Sequence, residues 1–294
     1  MSYIVNGIRG FFMALADSVP GVSGGTIAFI LGFYDKFINS LDGLIYGDKI
    51  EKKKALRFLV KLGIGWAVGM GLASLILTKL FETKIYVVSS LFIGFIIFAI
   101  PFIIKTEKDS LKGKYKNLIF SLIGIVIVVL ITFLNTKING NGTDISHLSL
   151  FLAIQIFIGG AVAISAMVLP GISGSTILLI FGLYIPVITS VREVLGLNLK
   201  YLPVLIIFGL GVVTGVILII RLVKRSLEKH RSATIYLILG LMIGSIYAII
   251  MGPTTLEVPK QHITFSNFSI IAFIIGGFVI LGLERLSIKF KDKD

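Results

Sequence analysis

Two short segments carry the residue types best suited to chemistry. Pro20-Gly21-Val22-Ser23-Gly24-Gly25-Thr26-Ile27 returns 150 positions later as Pro170-Gly171-Ile172-Ser173-Gly174-Ser175-Thr176-Ile177. Proline removes an amide donor, and glycine permits close backbone approach. Pro20-Gly21 and Pro170-Gly171 should therefore break a helix. Ser23 is a natural N-cap for the next helix, with Thr26 in its first turn. Gly24 and Gly25 leave the free amides unshielded. The product is a helix start with open N–H groups, hydroxyls and a positive dipole end. Such a cup suits an anion, phosphate above all. Ser173, Gly174, Ser175 and Thr176 would build a second one. The alternative is packing, because Gly21-x-x-x-Gly25 and Gly171-x-x-x-Ser175 also match small-xxx-small helix contacts. Joint duplication of Pro, Ser, Thr and both motif glycines favours a site. The serine is no convincing nucleophile: the strand–turn–helix setting and a buried histidine base are both missing from the pattern.

Asp17 lies three residues before Pro20 inside an apolar run. A carboxylate at membrane depth is costly and points to function by default. It could be a proton-coupling group, pair with Arg9, sit in a wet vestibule or cap a local turn. Its repeat counterpart is Met167, so its role would be asymmetric. Arg9 could greet a phosphate or snorkel to the interface. Arg192, with Glu193 beside it, could do the same from the other side. Trp66, Tyr86 and Tyr247 read as interfacial or packing aromatics rather than a ligand cage.

These residues must be held by membrane helices. Hydrophobic residues make up 56% of the 294 and charged ones 15%, and mean hydropathy is +1.00. Apolar runs recur along the whole length, which excludes a soluble domain with one anchor. Met1 to Val19 has no basic n-region or cleavage site, so it does not read as a signal peptide. The absence of cysteine excludes disulfides and thiolate chemistry. His147, His230 and His262 fall in expected loops, far apart in sequence, so no metal or other cofactor is expected. The net charge of +13 clusters in short loops, as the positive-inside rule requires, and argues against nucleic acid.

The duplication extends beyond the motifs. From Pro20 to Tyr34, 9 of 15 positions match those from Pro170 to Tyr184, including Gly32 with Gly182. Further on, Gly63, Gly65, Gly69 and Gly94 answer Gly209, Gly211, Gly215 and Gly240 at an offset of 146. An all-α polytopic membrane protein of two inverted repeats follows. Repeat 1 covers 1–135, with a broken, re-entrant hairpin over 8–41 and spans near 58–81, 85–104 and 117–135. A Gly/Asn-rich segment, 136–149, is the linker. Repeat 2 covers 150–285, with a hairpin over 150–191 and spans near 202–221, 233–251 and 268–285. Residues 286–294 form a tail. The hairpin arm from Thr26 to Leu41 is about 24 Å long if helical, short for a span. The arm before Pro170 is longer and could cross.

Charge orients the halves. Basic stretches occur at Lys49–Arg57, Lys105–Lys116, Arg221–Arg231 and Arg285–Lys293. Placing all of them in the cytoplasm, with both termini, turns the second half upside down relative to the first. The first hairpin then enters from the cytoplasm and the second from outside. Inverted repeats with discontinuous helices belong to transporters, with the site near the midplane.

The run Ala16-Asp17-Ser18-Val19-Pro20-Gly21-Val22-Ser23-Gly24-Gly25-Thr26 resembles the signature of the polyprenyl-phosphate transporter family. The resemblance covers essentially the whole chain: its size, its duplication and both Pro-Gly-x-Ser-Gly motifs. It implies a flippase of the bacterial plasma membrane that returns undecaprenyl phosphate from the outer to the inner leaflet. The implied site is Ser23, Gly24, Gly25, Thr26, Ser173, Gly174, Ser175 and Thr176, with Arg9 and Asp17 beside them. Implied partners are the polyprenyl phosphate, membrane lipids and, through Asp17, protons. The residues alone specify an anion; the resemblance adds the lipid. A small-anion transporter or channel is the alternative, since helix N-termini at the midplane would serve it equally. A lipid-phosphate enzyme would need a base, a nucleophile or a metal-binding carboxylate pair, and Asp17 stands alone. A scaffold for envelope machinery would call for an extended soluble region.

Overall fold

A computed structural model describes residues 2–18, 22–137, 148–255 and 259–291. The helix break at Pro20 and Gly21, and most of the 136–149 linker with His147, lie outside the described residues. All regular structure described is helical. The helices are α1 (Ser2–Asp17), α2 (Gly24–Ile30), α3 (Tyr34–Tyr46), α4 (Lys49–Thr106), α5 (Lys108–Leu111) and α6 (Leu118–Lys137). They continue with α7 (Leu150–Val168), α8 (Gly174–Ile180), α9 (Tyr184–Leu195), α10 (Leu202–Lys229), α11 (Arg231–Met251) and α12 (Ile270–Lys291).

The expected spans 58–81 and 85–104 form one long helix, α4, bent at Lys84, where φ is −130° and ψ 27°. Its start is fixed by a capping box. Asp48 accepts from the amides of Ile50 and Glu51 at 2.8 and 2.7 Å, and Glu51 accepts from the Asp48 amide at 3.2 Å. The arms Lys49–Leu72 and Lys84–Thr106 are each long and apolar enough to cross a membrane. So are Tyr115–Asn135, Leu150–Val168, Leu199–Lys229 and Arg231–Thr255. Helix α6 exposes Leu118, Ile119, Phe120, Leu122 and Ile127 on several faces, which suits lipid rather than water. This is a multi-pass membrane protein.

The arm from Thr26 to Leu41, read as one helix, is two. Helix α2 stops at Leu31, and Gly32 takes φ +68°. The amides of Gly32 and Phe33 turn back to Phe29 O and Ala28 O, which closes the helix end as a Schellman turn does. Gly182, at φ +67°, repeats the same closure between α8 and α9, with bonds to Leu179 O and Leu178 O. Only glycine enters this left-handed region without strain. The α8–α9 pair is bent by 107° there.

Glycine seams join the helices. Gly10, Gly65 and Gly69 lie on the backbone of Leu62, Gly7 and Phe11, so α1 packs on the first arm of α4. Gly160, Gly211 and Gly215 lie on the backbone of Phe208, Phe157 and Ala161, so α7 packs on α10 in the same register. Other seams cross the chain midpoint. Gly94 and Gly276 bind the second arm of α4 to α12, and Gly124 and Gly240 bind α6 to α11. A Cβ at these positions would overlap the facing backbone, so small residues set the helix spacing.

Candidate functional site

Helix α1 ends on Asp17, and its carboxylate turns to the start of α2. Oδ1 accepts from the Gly24 amide at 2.6 Å, and Oδ2 from the Trp66 indole Nε1 at 2.9 Å. Ser23 caps α2 and accepts from the Thr26 amide at 3.3 Å. The group at this helix start is thus the chain's own carboxyl, Asp17. Each charge-assisted bond is worth about 1.5–3 kcal/mol.

The first motif is locked to the second. Thr26 Oγ1 accepts from the Gly171 amide at 2.8 Å, and Ser23 Oγ donates to Leu169 O at 3.3 Å. The two hydroxyls also share a bond of 3.1 Å. Both residues are fully buried. Tyr34, from the same hairpin, donates to Val168 O at 3.1 Å. Gly171 takes φ +91°, and a Cβ there would lie 2.5 Å from the Leu241 carbonyl. The hydroxyls of Ser23 and Thr26 thus fasten the two broken regions together.

The second motif is built differently. Ser173 makes no cap to its own helix; its hydroxyl bonds that of Ser175 at 2.7 Å. Ser173 and Gly174 are buried, while Ser175 and Thr176 are half-buried. Met167 packs against Gly174 much as Asp17 packs against Gly24. The carboxylate position of one half is a thioether in the other.

A cavity of about 230 Å³ lies between α1, α2, α3, the first arm of α4 and α7. Asp17, Trp66, Gly24, Gly25, Leu59 and Met167 are among its walls. It is apolar apart from the Asp17–Trp66–Gly24 corner. Gly25 lets α2 approach the end of α7, since a Cβ there would come within 2.9 Å of Val168 O. Ser173, Gly174, Ser175 and Thr176 are not among its walls. Arg9 is not either: it donates to Asn6 Oδ1 at 3.2 Å and lies 4.9 Å from the Phe33 ring centre. The corner thus holds one carboxylate with both of its donors engaged, and the remaining walls are apolar.

Trp66 belongs to this corner, although its place in the sequence reads as that of an interfacial or packing aromatic. Its link to Asp17 spans 49 residues and depends on the α1–α4 glycine seam, so nothing local announces it. A second group also escaped the sequence reading. Lys224 Nζ meets Asp42 Oδ2 at 2.6 Å, and Arg231 Nη2 meets Asp35 at 2.9 Å and Glu107 at 2.6 Å. Tyr46 donates to Ile217 O at 3.1 Å, and Arg221 stacks on its ring with Cζ 3.8 Å from the centre. These contacts tie α3 to α10 and α11. In the sequence, Arg221, Lys224 and Arg231 mark topology alone.

The undecaprenyl phosphate translocase-like family model matches residues 13–266, which include the corner, both motifs and the ion pairs. The chain belongs to that family. A polyprenyl-phosphate transporter of Staphylococcus aureus (strain NCTC 8325 / PS 47) is 36% identical over 283 residues, 96% of both chains. A polyprenyl-phosphate transporter of Vibrio cholerae serotype O1 (strain ATCC 39315 / El Tor Inaba N16961) is 31% identical over 259 residues. That match spans 84% of this chain and 77% of the relative. No solved structure matches the chain significantly.

Proposed function

We propose that this protein carries polyprenyl phosphate across a bacterial plasma membrane, from the outer to the inner leaflet. The observation that carries the reading is the cavity at the Asp17–Trp66–Gly24 corner, in a chain of this family. A lipid phosphate crossing the bilayer needs polar partners for its headgroup, because an unpaired charge there is prohibitive. Its tail can stay in lipid. In this reading the phosphate takes the Gly24 and Gly25 amides and the Trp66 indole. Ser23, Thr26 and Gly171 keep the cup in shape, and Ser173, Gly174, Ser175 and Thr176 form the matching surface in another state. Arg9 would meet the headgroup at the cavity's cytoplasmic approach.

Asp17 is the coupling group in this scheme. Its carboxylate holds the amide and indole donors that the phosphate needs. Protonation weakens that hold and removes the like charge, so lipid entry and proton uptake are linked.

The two halves act as inverted repeats, with both termini cytoplasmic. Support comes from the glycine seams, whose partners shift together by 150 on α1 and 146 on the following span. Exchanging the conformations of such halves gives alternating access. The ion pairs on α3 then close the cytoplasmic side.

The test is translocation of a labelled polyprenyl phosphate in proteoliposomes. Wild type should move it, and a Gly24→Val variant, which drives a side chain onto Asp17, should not. Flux of a small inorganic anion without lipid movement would overturn the reading in favour of an ion pathway.

A further inference from the structure

A larger cavity lies away from the duplicated motifs, between the second arm of α4, α5, α6 and α11. Its volume is about 610 Å³, within the roughly 300–1,000 Å³ that suits a small ligand. Ile100, Ile104, Leu122, Ile125, Leu239 and Ile243 make its walls apolar. Lys108 and Lys112 border it where α5 closes the space between α4 and α6. Both lysines are exposed, and among the described residues neither makes an ion pair. Leu118 and Leu122 on α6 are 53% and 56% exposed, so the groove meets the lipid-facing surface.

An apolar groove with two free cations at one end fits a lipid whose headgroup is a bare phosphate. A phosphomonoester carries about −1.5 to −2 charges near pH 7. Two lysines match that charge. A phosphodiester headgroup has one negative charge and leaves the pair half-compensated. We infer that this groove is a second binding site for polyprenyl phosphate, at the membrane surface and separate from the central cavity. The inference rests on the proposed transport of that lipid. On the proposed topology the groove lies at the cytoplasmic leaflet, where returned lipid leaves.

The groove also adjoins the ion pairs. Glu107, next to Lys108, holds Arg231. Tyr236 on α11 lines the groove and donates to Leu111 O at 3.3 Å. A phosphate at Lys108 therefore stands beside the carboxylate that anchors the start of α11.

Site-specific photocrosslinking tests the site in full-length protein reconstituted in phosphatidylcholine nanodiscs. A benzophenone amino acid at Leu122 should capture radiolabelled polyprenyl phosphate. Lys108→Gln with Lys112→Gln should cut capture about tenfold, the scale of one charge-assisted hydrogen bond. Unlabelled polyprenyl phosphate should compete, and phosphatidylglycerol at the same concentration should not. Equal competition by phosphatidylglycerol, or capture unchanged by the lysine variant, overturns the inference. A benzophenone at Leu59 reports the central cavity independently. Capture at Leu59 without capture at Leu122 sinks the groove and leaves the proposed function standing. Capture at neither position sinks both.

Discussion

Tyr34 is 2% exposed and bonds Val168 across the molecule, while its repeat counterpart Tyr184 is 37% exposed. The same contrast runs along the two hairpins. Asp35 and Asp42 on α3 pair with Arg231 and Lys224 on the other half. Their counterparts by the 150-residue offset are Ile185 and Arg192 on α9, which packs mainly within its own half. Near-equal sequences thus occupy unequal surroundings. The turn between the two short helices is the same in both, with left-handed Gly32 and Gly182. What differs is which hairpin is sealed against the opposite half. In the proposed inverted arrangement, a state open to one side has its two halves in unequal conformations. On that proposal, the sealed α3 and the looser α9 would correspond to a state closed on the proposed cytoplasmic side.

The sharpest way to break that comparison is to remove the charge that distinguishes the halves. Asp17→Ala deletes a carboxylate with two charge-assisted bonds, worth roughly 3–6 kcal/mol together. Transport should fall by ~100-fold or more, while Met167→Ala should keep it within about threefold. A harmless Asp17→Ala would mean that the corner is packing alone.

A smaller effect should follow from unsealing α3. The chain has no native cysteine, so a Leu59→Cys background reports access to the central cavity. Adding Asp35→Asn and Asp42→Asn should raise labelling from the cytoplasmic face by roughly tenfold. That is the reach of two partly exposed ion pairs at about 0.2–1 kcal/mol each. Labelling from outside should fall in step. No change on either face would mean that the ion pairs do not hold the state.

The smallest effect concerns the two tyrosines. Tyr34→Phe removes a buried hydrogen bond worth about 1 kcal/mol. Tyr184→Phe should change stability by less than about 0.5 kcal/mol. Thermal unfolding of both variants in the same detergent checks the order. Equal losses would argue that both hydroxyls are engaged in the dominant state.

Much of the helical layout could be read in the chain. Spans near 117–135, 202–221 and 233–251 fall on α6, α10 and α11 because apolar length is a local property. The separation of spans near residue 84 was legible too, although it is a kink and not a loop. The split of each hairpin arm at Gly32 and Gly182 was missed, since an arm of that hydropathy reads as continuous. The matched glycines flagged a repeat, but not that they form seams.

By itself the sequence determined which segments are long and apolar enough to cross lipid, and that it says nearly the same thing twice. Those properties depend on neighbouring residues, on proline and glycine backbone limits, and on the cost of polar groups in hydrocarbon. Only the tertiary structure decided which groups meet. Asp17 finds Trp66 across 49 residues, Thr26 finds Gly171 across 145, and Lys224 finds Asp42 across 182. Each pairing is set by helix packing along the glycine seams and at the broken hairpins. Equivalent residues in the two halves therefore have unequal partners, which a pattern read along one chain does not contain.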